Sequence, residues 1–423
     1  MNTRTKLAIA VSAAMWMVPI SRAVAGVDIA AGDWKVDFSG NVNAFYVGAS
    51  CDTPINAPGS TTAVTGGLAC TGDNSSAVRN GLLPAAFVFS ATTRQADFDI
   101  DVTIGFYPGI NSSAAAGVNG AGQPSALATP GIDARQAYFT FGDASWGTVK
   151  MGRDIGLFGK DAILDDMTLL GVGTALANSA PGNTSLGRIG IGYIYTDWEP
   201  QITYTTANLG GFTGSFGVFQ PLDTTGYTSH NSPQIQAGLA FAWGDPKSDA
   251  LTGKVWLDVV TQELKANSSL IAGYTTGGTS TGFRGTAVDG GVKLDAAGFE
   301  AVLYGYSGKG VGTTGLYILP TSASGDTRKS DGGYVQATYK FDKLKVGLSY
   351  GLSDLKLAGD EQTGQVNADP LLLKRNASGV LGFYYSLTKS VTLVGEYIDT
   401  KSTAWGGDSA TEKDYALGGI LFF

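Results

Sequence analysis

The residues able to do chemistry are few, and most are acidic. The stretch "LFGKDAILDDMTLL" places Asp161, Asp165 and Asp166 at i, i+4 and i+5, a spacing that gathers three carboxylates near one side of a short helix. The stretch "QADFDIDVTIGFYPGI" sets Asp97, Asp99 and Asp101 at alternate positions, with Phe98, Ile100, Val102 and Ile104 between them. Successive side chains of a strand point to opposite faces, so this ladder predicts one acidic face and one aliphatic face. Fixed carboxylates in such arrays attract and sort ions, whereas hydrolysis would ask for a nucleophile beside a base. His230 is the only histidine and falls in "YTSHNSP", a predicted solvated loop, so a Ser-His pair is not indicated. Gly310, Gly312 and Gly315 make a formal G-x-G-x-x-G, but no helix follows them, and the segment reads as a flexible loop between strands. No cluster indicates a metal or a cofactor. The expected chemistry is electrostatic, and no enzyme is expected.

The rest of the chain bounds where such charges can sit. Its start, "MNTRTKLAIAVSAAMWMVPISRAVAG", has Arg4 and Lys6, an apolar run from Leu7 to Val18, and the small-x-small site Ala23-Val24-Ala25. This predicts a signal peptide over residues 1–25 and a single domain over 26–423. Removal of that segment takes Arg4, Lys6 and Arg22 with it and moves the net charge from −8 to −11, which excludes a nucleic-acid partner. Cys51 and Cys70 are the only cysteines, and an exported chain meets an oxidising compartment, so they are expected to form a disulfide. Closing that loop contributes about 3 kcal/mol in the chain-entropy model.

No later segment is long and apolar enough for a spanning helix, so an exported chain of this kind is either soluble or crosses a membrane as a closed barrel. Alternating segments of roughly ten residues recur to the end, as a barrel requires. Long connections near 48–78, 108–131, 155–190, 222–232, 262–283, 308–331, 354–371 and 402–413 alternate with short turns at 93–97, 143–147, 208–211, 244–250, 295–298, 341–343 and 387–390. Eight long and seven short connections predict an all-β, antiparallel transmembrane barrel of sixteen strands, with both termini on the short-turn side. Only "RIGIGYIYTDWEPQITYTTAN" (188–208) strains the count; it is read as one strand with a lead-in, and eighteen strands is the alternative. In this barrel Phe98, Ile100, Val102, Ile104 and Phe106 face lipid, and Asp97, Asp99 and Asp101 face a watery lumen. Trp34, Tyr46, Tyr107, Trp146 and Trp243 are expected in the interfacial aromatic belts.

Several stretches resemble the general porins of Gram-negative bacteria, the trimeric sixteen-stranded diffusion channels. "DARQAYFTFGDASWGTVKMGRD" (133–154) is similar to that family's fourth strand, tight turn and fifth strand. "YTTANLGGFTGSFGVF" (204–219) is similar to the hairpin after the third long loop, and "YYSLTKSVTLVGEYIDT" (384–400) to the penultimate hairpin. The chain closes on "YALGGILFF", with Phe423 as the carboxy-terminal residue. It departs from the family in carrying Ile420-Leu421-Phe422 in the last strand and in lacking a Pro-Glu-Phe-Gly type sequence in the third loop.

The resemblance implies an outer-membrane homotrimer that passes ions and small hydrophilic solutes, with lipid and lipopolysaccharide as its surroundings. It also implies that the third long loop folds inward, setting Asp161, Asp165 and Asp166 across the lumen from a basic cluster. Arg135 and Arg153 match that cluster by position, and Arg188 follows the loop. Facing charges of opposite sign give a transverse field at the narrowest point. The acidic excess favours weak cation preference. A substrate-specific channel is the alternative, with an outer-membrane enzyme or adhesin further behind.

Overall fold

The computed structural model describes residues 27–51, 64–70, 74–111, 131–174, 183–229, 231–245, 250–266 and 282–423. The proposed signal peptide and His230 lie outside them. The described strands are β1 (Val27–Ala31), β2 (Trp34–Cys51), β3 (Ser75–Arg79), β4 (Ala86–Gln95), β5 (Phe98–Pro108), β6 (Ile132–Asp143), β7 (Gly147–Ile155), β8 (Trp198–Thr206), β9 (Phe212–Phe219) and β10 (Tyr227–Ser229). They continue with β11 (Gln234–Trp243), β12 (Thr252–Ala266), β13 (Phe283–Ala296), β14 (Phe299–Lys309), β15 (Lys329–Phe341), β16 (Leu344–Leu355), β17 (Leu373–Ser386), β18 (Val391–Ala404) and β19 (Ser409–Phe422). Every ladder between them is antiparallel, and β19 pairs with β2 to close the ring.

Three segments are not separate staves. β3 and β4 pair with the upper and lower parts of β2, one stave interrupted at residues 80–85. β10 is a flap on the end of β12. β1 pairs with Trp34–Phe38 directly beyond the point where β19 leaves β2 at Asn41, so β1 and β19 lie in line in one stave. Gly40 and Phe423 exchange both backbone hydrogen bonds, at 2.9 and 3.1 Å. Sixteen staves result. Residues 188–197 form no strand, and Trp198–Thr206 is the one strand of the ambiguous stretch.

The short turns are built from left-handed residues. Ala96 and Asp97 both have positive φ between the paired Gln95 and Phe98, as do Ala297 and Gly298 between Ala296 and Phe299. Two such residues match the twist of the flanking strands. Asp97 is therefore a turn residue and not the first rung of the acidic ladder, because Asp tolerates this conformation.

Alternation assigns the two faces. Ile104 and Phe106 are exposed, while Thr103, Gly105 and Tyr107 between them are buried. On β2, Val42 and Tyr46 point out, and Asn41, Asn43 and Phe45 point in. At the short-turn end the outer face carries an aromatic girdle: Trp146 stacks on Tyr204 at 6.3 Å, and Phe212, Phe241 and Trp243 run in series. Tyr46 lies beside Tyr415 on the same face. Tyr107 is the exception to the expected belts. Its ring is inside, 8% exposed, and its hydroxyl donates to Gln136 Oε1. The inward parity of β5 takes it there, and its hydroxyl needs a partner once buried.

Candidate functional site

The described parts of the third long connection, residues 156–174 and 183–197 between β7 and β8, fold into the barrel. A buried loop must satisfy its backbone polar groups, and inward side chains of five different strands do so here. Gln236 Oε1 on β11 accepts from the amides of Leu157 and Phe158 at 2.6 and 2.9 Å. Asp289 on β13 accepts from Gly159 N at 2.6 Å, where φ of +72° needs a glycine. Gln336 on β15 accepts from Met167 N and donates to Asp165 O. Ser353 on β16 accepts from Gly192 N, and Glu396 on β18 accepts from Val172 N and Gly173 N.

Apolar packing fixes the same loop. Phe158, Ala162, Ile163, Leu169, Tyr193 and Ile194 join Trp256, Val260, Val302, Tyr304 and Tyr334 of the wall in one buried cluster. The segment 310–328 closes over it: Tyr195 N donates to Thr314 O, and Val311, Leu316 and Tyr317 are buried. The glycines of "GKGVGTTG" thus belong to a packed cover, not a flexible loop. Gly310 and Gly312 adopt positive φ there, and a Cβ on Gly312 would meet Ile318 O at 1.9 Å. Residues 64–70 of the first long connection are pinned as well. The disulfide Cys51–Cys70 forms, Leu68 N and Ala69 N donate to Ser402 Oγ, and Cys70 N donates to Glu412.

The sequence-derived acids separate on this scaffold. The helix α1 (Lys160–Leu164) is short, with Asp161 in its first turn and Asp165 as its C-cap. Both face lysines of the wall: Lys254 Nζ on β12 lies 2.8 Å from Asp161 and 3.0 Å from Asp165. Lys293 Nζ on β13 lies 3.3 Å from Asp165 and 2.9 Å from Glu300 on β14. This chain of five charges is partly accessible, from 9% for Asp165 to 24% for Lys293 and Glu300. Burial raises the Asp161 carboxyl, but Lys160 and Lys254 outweigh it and hold the group below its ordinary range.

Asp166 turns away from the other two. It caps a 3₁₀ helix over Met167–Leu170 by accepting from Thr168 N and Oγ1, each at 2.9 Å, and accepts from Tyr193 OH at 3.0 Å. At 3% exposure it lines nothing. Burial pushes its carboxyl up, against the pull of Arg188 and these hydrogen bonds. Arg188 is 1% exposed and donates to Ser378 O on β17, so it anchors the loop's return limb. Burial lowers its guanidinium, opposed by Asp166.

The expected basic cluster across the lumen does not assemble. Arg153 lies directly opposite Ala137 and Pro200, on the outer face that also carries Phe139, Met151 and Ile202. Arg135 stands beside a bulge in the β5–β6 ladder; its guanidinium reaches Asp133 at 3.2 Å and covers the Tyr107 ring. On the ladder, Asp101 points inward and accepts from Thr103 Oγ1, and Asp99 pairs with Arg94 at 2.6 Å near the short-turn rim. Lys150 and Asp154 form an inward ion pair on β7. Sequence reasoning passed over Lys254, Lys293 and Glu300, although strand parity alone marks them as inward: Lys254 shares the parity of Asp258, and Lys293 that of Asp289.

Comparison with known proteins agrees with this geometry. The outer-membrane channel DcaP of Acinetobacter baumannii superposes with a TM-score of 0.65 at 16% identity, over 95% of this chain and 100% of that one. The anion-selective porin of Comamonas acidovorans gives 0.58 at 14% identity, over 92% and 100%. Salmonella typhi OmpF, solved with daunomycin, gives 0.54 at 16% identity, over 94% and 100%. No curated protein sequence matches the chain. A family model described as Gram-negative porin matches residues 10–404. With a closed sixteen-stave barrel, an inward-folded loop and charges along its inner wall, the chain belongs to the Gram-negative porin family, the outer-membrane channels for passive diffusion.

Proposed function

We propose that the channel passes small hydrophilic solutes and ions with a weak preference for cations, and that Asp161, Asp165, Lys254, Lys293 and Glu300 set it. The observation that carries this reading is the seam between the inward loop and the wall, where three carboxylates meet two ammonium groups. Within the bridged chain itself the carboxylates outnumber the ammonium groups by one, and fixed charges lining a channel govern ion choice. Arg135, Asp99 and Asp101 act as secondary wall charges, while Asp166 and Arg188 hold the loop in place. No catalytic step is involved. The working unit is a homotrimer in outer-membrane lipid, exported by a cleaved segment over residues 1–25.

Reversal potential across a planar bilayer under a KCl gradient tests the reading. A cation-selective potential that moves toward zero in Asp165→Asn supports it. An anion-selective potential, as the name of the Comamonas relative would suggest for this chain too, refutes it.

A further inference from the structure

Backbone strain gathers in the segment that covers the inward loop. Outside the short turns, the described non-glycine residues with positive φ are Asp197 and three residues of this one segment, Thr314, Tyr317 and Leu319, at +66°, +66° and +59°. Aspartate tolerates that region, whereas a β-branched threonine and the bulky tyrosine and leucine crowd their own backbone there. Such residues persist only where the surrounding contacts over-determine them, and they cluster at parts of a protein that switch.

The two limbs of the segment 310–328 are held differently. Its neck closes where Gly310 N donates to Arg328 O at 2.8 Å. The second limb is clamped to a short helix over Gly359–Gln362: Arg328 reaches Glu361 at 2.5 and 3.0 Å, and Ser322 Oγ donates to Asp360 at 2.7 Å. Arg328 Nη1 also donates to Leu319 O at 3.3 Å, so the clamp extends as far as Leu319. The first limb, residues 311–318, carries no charged side chain. It rests on the inward loop through Tyr195 N to Thr314 O at 2.7 Å and Leu316 N to Tyr195 O at 3.2 Å, while Thr224 Oγ1 donates to Tyr317 O at 2.7 Å. The Tyr317 ring seats on Gly285 of β13, where a Cβ would meet it at 2.5 Å. Burial of Val311, Leu316 and Tyr317 favours this position. Strain opposes it, and so do three buried hydroxyls with no hydrogen-bond partner among the described residues: Thr313 and Tyr317 on the limb, and Thr196 beside Tyr195. A buried hydroxyl without a partner loses what water gave it. Lifting the limb would give up apolar contact, relax Thr314 and Tyr317, and wet those three groups.

We propose that residues 311–318 form a lid at the long-loop mouth, pivoting between the neck at Gly310 and the clamp at Leu319, so that the channel alternates between a seated-lid and a lifted-lid conductance. The opposing terms set the two states close in free energy, which is what a two-state element requires. The inward loop need not move with the lid, because its own bonds to Gln236, Asp289, Gln336, Ser353 and Glu396 of the wall involve no residue of the limb. The inference goes beyond the ion preference proposed above and uses none of the charges of the loop–wall seam.

Single-channel recording of the full-length protein in a planar bilayer, in symmetrical KCl at low voltage, reads the lid as two conductance levels and their dwell times. Tyr317→Phe keeps the ring and drops an unpartnered hydroxyl, and Thr314→Gly removes the backbone crowding. Each should lengthen the dwell in the lower level by about fivefold or more. Tyr317→Ala empties the seat on Gly285 and should abolish the lower level. The reversal potential under a KCl gradient should stay at its wild-type value in all three variants. Heat-modifiable gel mobility establishes that each is folded; should Tyr317→Ala fail that check, the other two decide. A single conductance level in the wild type would overturn the lid. Two levels whose dwell times Tyr317→Phe and Thr314→Gly leave unmoved would overturn its assignment to this limb. A shortened lower-level dwell in Tyr317→Phe would overturn it as well, by showing that the hydroxyl has a partner when the lid is seated.

Discussion

Lys254→Gln should make the channel markedly more cation-selective. Among the described residues Lys254 is the one that bridges both Asp161 and Asp165, at 2.8 and 3.0 Å, so its loss leaves the first of them without its wall partner. For an ion passing ~5 Å from the vanished ammonium, the Coulomb interaction in water is about 0.8 kcal/mol. Screening over a Debye length of ~10 Å at 0.1 M salt reduces that to about 0.5 kcal/mol. A cation then gains, and an anion loses, a factor of about 2 in local concentration, so the permeability ratio should change by about fivefold. At 1 M, where the Debye length is ~3 Å, the same change should stay below about twofold. Reversal potentials of wild type and variant under matched KCl gradients at both ionic strengths measure it. A variant with unchanged selectivity at 0.1 M would show that ions do not pass this seam. A change that persisted undiminished at 1 M would show that the substitution had moved the loop and not simply removed a charge.

Asp166→Ala should act on stability in place of selectivity: it removes an N-cap and the partner of Tyr193, a loss of about 1–2 kcal/mol visible in denaturant unfolding, with a smaller change in reversal potential than Asp165→Asn gives. Phe158→Ala empties a fully buried position in the loop–wall cluster and should cost about 3–5 kcal/mol in the same unfolding assay; a cost below 1 kcal/mol would mean that the cluster is not packed as described. The folded Asp161 carboxyl titrates below its ordinary range, so its pairing with Lys254 stabilises the protein at neutral pH and fades only as pH falls through that lowered value. The thermal-midpoint difference between wild type and Asp161→Asn should accordingly persist at pH 5 and vanish in stronger acid. Cys51→Ser with Cys70→Ser should lower the unfolding free energy by about 3 kcal/mol or less, since residues 64–70 keep their hydrogen bonds to Ser402 and Glu412.

The barrel was legible because its signal is periodic. Alternation at Phe98–Phe106 and the turn chemistry at Ala96-Asp97, Ala297-Gly298 and Asp342 are local properties, and sixteen staves follow from spacing alone. The loop–wall seam was only half legible. The spacing of Asp161 and Asp165 is local to one short helix, but the lysines that pair with them, Lys254 and Lys293, lie some ninety or more residues away. Arg153 was misplaced because positional matching to a family ignores parity: one residue of register moves a side chain from lumen to lipid. Asp166 was misread for a different reason. Sequence shows three neighbouring acids, and only the chain reversal after α1 decides that the third becomes a buried cap.

The closing ladder has a consequence for the order of assembly. Nearly every other pair of neighbouring staves is joined by a turn or loop and can zip locally, but β2 and β19 bring residues 41–51 against 412–422. Loop-closure entropy grows by about 0.6 kcal/mol per doubling of length, so this seam costs ~2–3 kcal/mol more to close than a typical hairpin of the same barrel. Contacts of such long sequence separation form late. Until they form, β2 and β19 both present unpaired backbone edges, and in hydrocarbon such edges have no water to satisfy them. Insertion and closure are therefore expected to be coupled, with an open, curled sheet as the last species before the finished channel. The short β1, seated below β19 on the same edge of β2, covers the remaining backbone groups that β19 alone would leave bare.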